Sequence, residues 1–297
     1  MTGEQPPICD YEGSDYQTTF WDSGERQYED QVEAIALQRL LPTSGERLLE
    51  LGAGAGRNTL RYKNFRQVVL LDYSRTQLQL AQEKLGSRER YTYVAANVYH
   101  LPFLPVFDAA TMIRTLHHMA EPERALEQVH QSLKADAVFI LEYANKRNLK
   151  AILRYLARRQ DWNPFSPEAV EFAELNYDFH PNSIQQYLAE NDFSVERQLT
   201  VSHFRIGLLK RIIPLRLLVQ MDAMAQLTGD LWQFSPSVFV RSRRKGKPAA
   251  LVAEGVFRCP ECGGYPLEET GNKISCRSCS CNWAIKDGIY DFRKPVL

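Results

Sequence analysis

The chain has 297 residues, 44% of them hydrophobic and 24% charged, and its 36 basic and 36 acidic side chains cancel to a formal net charge of zero. This balance excludes a general electrostatic attraction to nucleic acid or to an anionic membrane, so either partner would need a local patch. The length favours one large core plus a smaller unit, and the polar start and the lack of a long apolar run predict a cytoplasmic protein.

Apolar runs alternate with amphipathic helical patterns along most of the chain. A leading helix is predicted over residues 30–41, where Val32, Ala36 and Leu40 share one face. Strands are predicted at 47–51, 67–72, 91–96, 107–113, 137–143, 193–201 and 237–243, and further helices at 74–85, 122–134 and 181–190. This alternation predicts an α/β fold, a doubly wound and mostly parallel sheet of seven strands, whose ligands bind at the carboxyl ends of the strands.

A glycine-rich turn, "ELGAGAG", follows the first strand. Its spacing is G-x-G-x-G, carried by Gly52, Gly54 and Gly56. Arg57 stands where a dinucleotide fingerprint has its third glycine, and Glu50 would be an unfavourable neighbour for a pyrophosphate. A cationic or zwitterionic ligand such as S-adenosylmethionine fits better. Asp72 ends the second strand, where an acid binds ribose hydroxyls, although a nicotinamide coenzyme would use it in the same way.

Five segments carry a resemblance that extends from residue 45 to about 195: "ELGAGAG", "LLDYS", "AANVYHLPF", "FDAATMIRTLHHM" and "SLKADAVFILEY". In order and spacing they resemble the motifs of class I S-adenosylmethionine-dependent methyltransferases. The resemblance implies a Rossmann-like fold and methyl transfer by in-line displacement at the sulfonium. It also implies cofactor contacts from Glu50, Gly52, Gly54 and Gly56 at the methionine end, Asp72 at the ribose, Tyr73, Asn97 and Val98 around the adenine, and Arg114 after the fourth strand.

Polar side chains near the strand ends are candidates for a general base, which a hydroxyl or carbon acceptor would require. The candidates are His117, His118, His180, Glu142 and Tyr143. A cleft-lining or capping role explains His118 equally well.

An aromatic segment precedes the leading helix. In the family that the chain resembles, such a segment often closes over the cofactor, so Tyr16, Trp21 and Arg26 are predicted to form a lid. Packing of this segment on the core is the alternative.

Two helical insertions, 144–180 and 203–235, are predicted to determine the acceptor. The first begins with a basic helix, and the second is long, apolar and interspersed with Lys210, Arg211 and Arg216. The second suits a cap over a hydrophobic acceptor or contact with a membrane surface, and a buried helical cap is the alternative. The segment "LHHMAEPERALEQVHQSLK" is similar to quinone-biosynthesis methyltransferases, which favours a small, lipid-like acceptor.

Cysteines concentrate at the end of the chain, beyond a predicted linker at 244–256. Two C-x-x-C pairs can meet as a tetrahedral four-sulfur zinc site formed by Cys259, Cys262, Cys276 and Cys279. Four thiolates leave no open position, so this zinc is predicted to be structural and to supply the folding free energy of a separate zinc ribbon at 257–297. Cys281 leaves a register ambiguity, because it could replace Cys279.

The stretch "WAIKDGIYDF" resembles the end of the small zinc-binding activator subunit of tRNA and protein methyltransferases. The implied organisation is a lid and leading helix at 1–44, a methyltransferase domain at 45–243, and a ribbon that stabilises the enzyme, presents a substrate or docks a protein partner. The preferred function is methyl transfer to a small, hydrophobic acceptor. The alternatives are an RNA or protein methyltransferase that binds its substrate through the ribbon, and a non-catalytic cofactor-binding partner protein.

Overall fold

A computed structural model describes residues 6–13, 26–86, 89–247 and 255–296. The helices are α1 (Gln27–Leu40), α2 (Arg75–Leu85), α3 (Pro122–Ser132), α4 (Leu149–Leu156), α5 (Pro181–Glu190), α6 (Gly207–Ile212) and α7 (Leu215–Ala225). The strands are β1 (Gly45–Leu51), β2 (Phe65–Asp72), β3 (Tyr91–Ala95), β4 (Phe107–Met112), β5 (Leu133–Ala144), β6 (Val170–Ala173), β7 (Asn176–Asp178), β8 (Phe193–Val201), β9 (Ser237–Arg244), β10 (Leu267–Thr270), β11 (Lys273–Cys276), β12 (Asn282–Lys286) and β13 (Ile289–Val296).

One large sheet organises the molecule, with the strand order β10-β11-β12-β13-β3-β2-β1-β4-β5-β9-β8. Strands β3, β2, β1, β4 and β5 are parallel, and β9 is antiparallel to both β5 and β8. The seven strands from β3 to β8 confirm the predicted doubly wound, mostly parallel sheet. The carboxyl ends of its parallel strands lie along one edge of the sheet, where β1, β2 and β4 end.

Helices cover both faces of this sheet, and each face has its own apolar core. Leu48 of β1 packs with α1, α2 and α7 on one face, and Leu49 packs with α3 and α5 on the other. The central strands are therefore apolar on both sides, as buried parallel strands are. Helix α2 begins at Ser74, whose hydroxyl accepts the Gln77 N–H at 3.3 Å, and this cap satisfies one of the free amides of the first turn.

The connection between β1 and β2 differs from an ordinary strand–helix unit. Only a short 3₁₀ turn, Thr59–Arg61, forms there, in place of the helix that follows the turn of a dinucleotide fingerprint. The three glycines of the turn have positive φ angles of 67°, 52° and 71°. Residues with positive φ do not continue a right-handed helix, so the backbone of the turn bends away and leaves space beyond the carboxyl end of β1.

The two insertions contain more structure than the sequence pattern indicated. The first forms α4 and then the hairpin β6–β7, which was not predicted. The second forms α6 and α7. One side of α7 packs on α1, where the Tyr28 hydroxyl donates to Asp222 at 2.6 Å and the Gln226 amide donates to the Val32 carbonyl at 2.9 Å.

The cysteine-rich tail joins the main sheet. Strands β10 to β13 pair antiparallel, and β13 then pairs in parallel with β3 through Ile289, Tyr290 and Asp291. The tail therefore continues the main sheet and covers the edge of β3, and the domain bounds expected from the sequence stay a prediction. Of the predicted linker, residues 248–254 lie outside the described residues, and Val256 accepts the Leu104 N–H at 2.9 Å.

Candidate functional site

A pocket opens where β1, β2 and β4 end, at the edge that the topology assigns to ligands. Six predicted cofactor residues line it: Gly52, Gly54, Asp72, Tyr73, Val98 and Arg114. Other lining residues were not predicted: Pro7, Cys9, Tyr11, Gln77 and Tyr99. The pocket is therefore closed on one side by residues 7–11, which precede the segment predicted to be the lid.

Asp72 is held at the end of β2 by backbone amides. Its Oδ2 accepts the Gly54 N–H at 2.8 Å and its Oδ1 accepts the Ser74 N–H at 2.9 Å. Burial raises the pKa of Asp72 to about 6, although these amides lower it. Each carboxylate oxygen keeps a lone pair for a further donor, as the hydroxyls of a ribose require.

Glu50 is the second buried carboxylate at this edge. It accepts a hydrogen bond from the Thr59 hydroxyl at 2.6 Å, and burial raises its pKa to about 7. Arg57 is nearby but pairs with Asp30 and Glu33, at 2.7 Å each. Glu50 forms no ion pair with the described residues. A ligand ammonium would supply the missing cation, so Glu50 fits the methionine end of S-adenosylmethionine.

The glycine turn leaves room for a ligand between these carboxylates. At Gly54 a Cβ atom would meet nothing within 4 Å, because it would project into the open pocket. At Gly52 a Cβ atom would overlap the Thr115 hydroxyl. The turn therefore packs tightly against Thr115 at Gly52, whereas Gly54 leaves open space for a ligand. The residues present fit S-adenosylmethionine.

Two predicted cofactor residues, Asn97 and Arg26, do not line the pocket. Asn97 uses its Oδ1 to accept the Tyr99 N–H at 2.9 Å, so it holds a turn while its neighbours line the pocket. Arg26 precedes α1 and lies close enough to Arg205 to lower the pKa of that guanidinium. Tyr16 and Trp21 lie outside the described residues.

Arg114 lies where three cavities of the site meet. It borders the cofactor pocket, the turn around Glu50 and the adjacent cleft. Its φ angle is 55°, its N–H donates to Glu142 Oε2 at 2.8 Å, and its guanidinium contacts Glu33 at 3.0 Å. A bulky residue in the left-handed region is costly, and such strain concentrates at functional sites.

The adjacent cleft has a volume of about 590 Å³. Charged and aromatic side chains line it together, among them Glu142, Arg154, Trp162, Phe172, Asp178 and Arg205. Burial raises the pKa of Asp178 to about 6 and also raises the pKa of Glu142, which accepts the Ser237 hydroxyl at 2.6 Å. The cleft therefore offers both ionic and apolar contacts to an acceptor.

His118 and Tyr11 stand at the boundary, since both line the cofactor pocket and the cleft. His118 Nδ1 lies 3.0 Å from the Leu175 carbonyl, and its Nε2 lies 3.1 Å from the Tyr11 hydroxyl. A carbonyl only accepts, so Nδ1 carries the proton and Nε2 presents its lone pair to Tyr11. Burial lowers the pKa of His118, which keeps the ring neutral near pH 7.

The other base candidates are placed differently. His117 lines the cleft beside His118, and burial lowers its pKa strongly. Tyr143, in contrast, is fully buried in the apolar core. His180 caps α5, where its Nδ1 accepts the Asn182 N–H at 3.2 Å. Neither Tyr143 nor His180 lines the pocket or the cleft, so the structure does not bring them together with the other candidates.

The four predicted zinc ligands come together at the end of the chain. Their sulfur atoms lie within 4.8 Å of one another, and the Cys259–Cys279 and Cys262–Cys276 Sγ pairs are 3.6 Å apart. Tetrahedral zinc with Zn–S bonds of about 2.3 Å requires sulfur separations of this size. Cys281 lies outside this cluster, and its carbonyl accepts the Cys276 N–H at 2.9 Å.

Comparison with known proteins agrees with this geometry. Residues 49–141 match the family model described as "Methyltransferase domain". A protein from Listeria monocytogenes described as an S-adenosylmethionine-dependent methyltransferase has a TM-score of 0.53 at 15% identity, over 74% of this chain and 99% of its own. Residues 49–141 therefore match a methyltransferase domain, and the chain shares its overall fold with the Listeria protein.

Two curated relatives match part of the chain. The demethylmenaquinone methyltransferase of Clavibacter sepedonicus is 32% identical over 35% of this chain and 44% of its own length. The O-methyltransferase rstn1 of Aspergillus nomiae is 29% identical over 39% of this chain and 56% of its own length. The chain thus spans about half the length of these relatives. No helix of the described residues is long and apolar enough to cross a bilayer.

Proposed function

We propose that the chain is an S-adenosylmethionine-dependent methyltransferase that methylates a hydroxyl group of a small, amphipathic acceptor. The observation that carries this proposal is the His118–Tyr11 pair, which lies where the cofactor pocket meets the cleft. The name of the Clavibacter relative supports a small quinone as acceptor, and the name of rstn1 supports transfer to oxygen.

The residues of the site divide the work. When bound, S-adenosylmethionine supplies an electrophilic methyl group on its sulfonium. Glu50 binds the ammonium and Asp72 binds the ribose, which fixes the direction of the methyl group toward the cleft. Such positioning supplies most of the acceleration in this type of reaction.

His118 accepts the proton of the acceptor hydroxyl. An acceptor oxygen beside Tyr11 passes its proton to Nε2 directly or through the Tyr11 hydroxyl, while Leu175 holds the ring in orientation. A correctly placed base of this kind contributes about 10²- to 10⁴-fold. The mixed lining of the cleft suits an acceptor with a polar reacting end and an apolar body, such as the lipid-like acceptor predicted from the sequence.

The same proposal includes a structural zinc ion held by Cys259, Cys262, Cys276 and Cys279. Elemental analysis of the purified chain is expected to give one zinc per chain. A protein partner bound through the ribbon, a nucleic acid contact and a cytoplasmic location stay predictions.

The test of the proposed activity uses S-adenosylmethionine carrying a labelled methyl group. The full chain is incubated with a lipid extract, total RNA or total protein, with and without excess S-adenosylhomocysteine as a competing product. We expect label in an extractable small molecule, suppressed by the competitor. Label in RNA or protein would favour the alternative acceptors, and cofactor binding without label in any fraction would favour a non-catalytic protein.

A further inference from the structure

Exposed apolar side chains are concentrated in the two insertions. Of the eighteen large hydrophobic side chains that the described residues leave exposed, fourteen lie within 149–172 and 206–234. On α4, Leu149, Leu153 and Leu156 recur at helical spacing, and Leu156 is 69% exposed. Single exposed leucines are ordinary, but a cluster of this size marks a contact surface.

The two insertions meet on the surface. The Leu149 N–H donates to the Phe234 carbonyl at 2.8 Å. This hydrogen bond holds the turn that precedes Phe234 beside the start of α4. In that turn Leu231 is 77% exposed and Trp232 is 51% exposed. We call the following exposed side chains the apolar face: Leu149, Leu153, Leu156, Leu208, Ile212, Leu217, Met224, Leu227, Leu231, Trp232 and Phe234.

Helix α7 shows that this face is the outer side of an amphipathic layer. Leu218, Val219 and Asp222 are buried on its inner side, toward α1. Leu217 and Met224, one heptad apart, are exposed on its outer side. The helix therefore uses one side for the core and leaves a second apolar stripe without a partner in the described part of the chain.

Charge indicates what covers this face. Residues 144–160 contain six basic and no acidic residues, among which Lys150, Arg154, Arg158 and Arg159 are exposed. Residues 203–221 contain four basic and no acidic residues, of which Arg205 and Lys210 pair with Glu29. The whole chain is neutral, so this excess is local. Helices that combine exposed apolar residues with Lys and Arg bind at the surface of anionic bilayers.

The face also borders the acceptor cleft. Arg154 of α4 and Arg205, just before α6, both line the cleft from opposite insertions. We propose that the apolar face docks on an anionic lipid surface with the cleft opening toward the bilayer. Vesicle binding requires neither cofactor nor methyl transfer, so this proposal and the proposed function are tested separately.

The experiment measures sedimentation of the full chain with vesicles of phosphatidylcholine alone or mixed with phosphatidylglycerol. We expect binding to the mixed vesicles, weaker binding to phosphatidylcholine alone, and at least about tenfold weaker binding of L153Q/L156Q and of L231Q/W232Q, because each removes two inserted apolar side chains. The control L80Q/V195Q changes two exposed apolar residues outside the face and is expected to bind within about twofold of the unmodified chain.

Thermal melts check that the variants remain folded, as expected for exposed positions. Failure of the unmodified chain to bind mixed vesicles would overturn the proposal, as would equal binding by the face variants. Analytical ultracentrifugation tests whether the apolar face instead binds a second copy of the chain. Self-association that the face variants abolish, without any vesicle binding, would assign the face to a protein interface and also overturn the proposal.

Discussion

Two buried carboxylates, Glu50 and Asp72, lie at the ends of neighbouring strands without an ion pair among the described residues. Burial raises the pKa of Glu50 to about 7 and that of Asp72 to about 6. Without ligand, the folded chain retains protons that the unfolded chain releases, so the free energy of unfolding falls as the pH rises from about 4 to 7. A site in which two buried carboxylates carry this cost is suited to a cationic ligand.

The first prediction concerns the pH dependence of cofactor affinity. A ligand ammonium favours the ionised form of Glu50, so affinity for S-adenosylmethionine falls as the pH decreases from 8 to 6, by up to about tenfold per pH unit for each coupled proton. Glu50→Gln is expected to bind more weakly at pH 8 and to show a shallower pH dependence, measured by calorimetry. An unchanged slope would assign the proton to another group.

The second prediction concerns the base. His118→Gln keeps a polar side chain but cannot accept the proton, so kcat is expected to fall about 10²- to 10⁴-fold with little change in cofactor affinity. Because the pKa of His118 is lowered by burial, kcat of the unmodified chain at saturating S-adenosylmethionine should decline only as the pH drops below about 6.5. The exposed His100→Gln is the matched control, and equal rates for both variants would contradict the assignment.

At the scale of elements, a glycine can be required for its positive φ angle or for the space it leaves to a ligand, and two glycines of the chain distinguish these reasons. Gly54 and Gly86 both have positive φ angles, of 52° and 78°, and a Cβ atom would meet nothing within 4 Å at either position. Gly54 faces the cofactor pocket, whereas Gly86 ends α2. Alanine therefore costs backbone strain at both positions, whereas only alanine at position 54 would meet the ligand.

The third prediction compares these glycines. Gly54→Ala and Gly86→Ala should each lower the free energy of unfolding by at least about 1 kcal/mol, since both force a side chain onto a residue with positive φ. Only Gly54→Ala is expected to weaken S-adenosylmethionine binding, by at least about tenfold. Chemical denaturation and calorimetry measure the two effects, and equal cofactor affinity in both variants would show that the turn does not face the ligand.

The main elements could be predicted because their signals are local. Apolar runs identified the strands, and Ser74 and Gly86 marked the ends of α2 within one residue. The hairpin β6–β7 was missed because its residues are largely exposed and lack the alternation of a half-buried strand. Tyr11 was missed because it is 107 positions from His118, and only tertiary packing brings the two together.

At the scale of the whole molecule, the ribbon packs behind one wall of the cofactor site. Arg293 of β13 lies over the ring of Tyr73 at 5.7 Å and donates to its carbonyl at 3.3 Å, and Tyr73 lines the pocket. Asp287 pairs with Arg75 at 2.8 Å. The parallel pairing of β13 with β3 could not be predicted, because it joins two strands that are distant in sequence and leaves no local pattern.

The fourth prediction concerns the metal. Cys279→Ser is expected to lose zinc, to lower the melting temperature and to weaken cofactor binding, because unfolding of the ribbon removes Arg293 from Tyr73. Cys281→Ser should retain zinc and cofactor affinity. Elemental analysis, thermal melts and calorimetry provide the readouts, and loss of zinc in Cys281→Ser alone would reverse the ligand register.

Calorimetric titration with S-adenosylmethionine tests the central claim most directly, in the unmodified chain and in Asp72→Ala, with the exposed Asp161→Ala as control. We expect one binding site per chain, unchanged in the control and weakened at least about tenfold in Asp72→Ala, because hydrogen bonds to a charged group contribute about 1.5–3 kcal/mol. Absence of binding, or equal affinity in Asp72→Ala, would contradict the account.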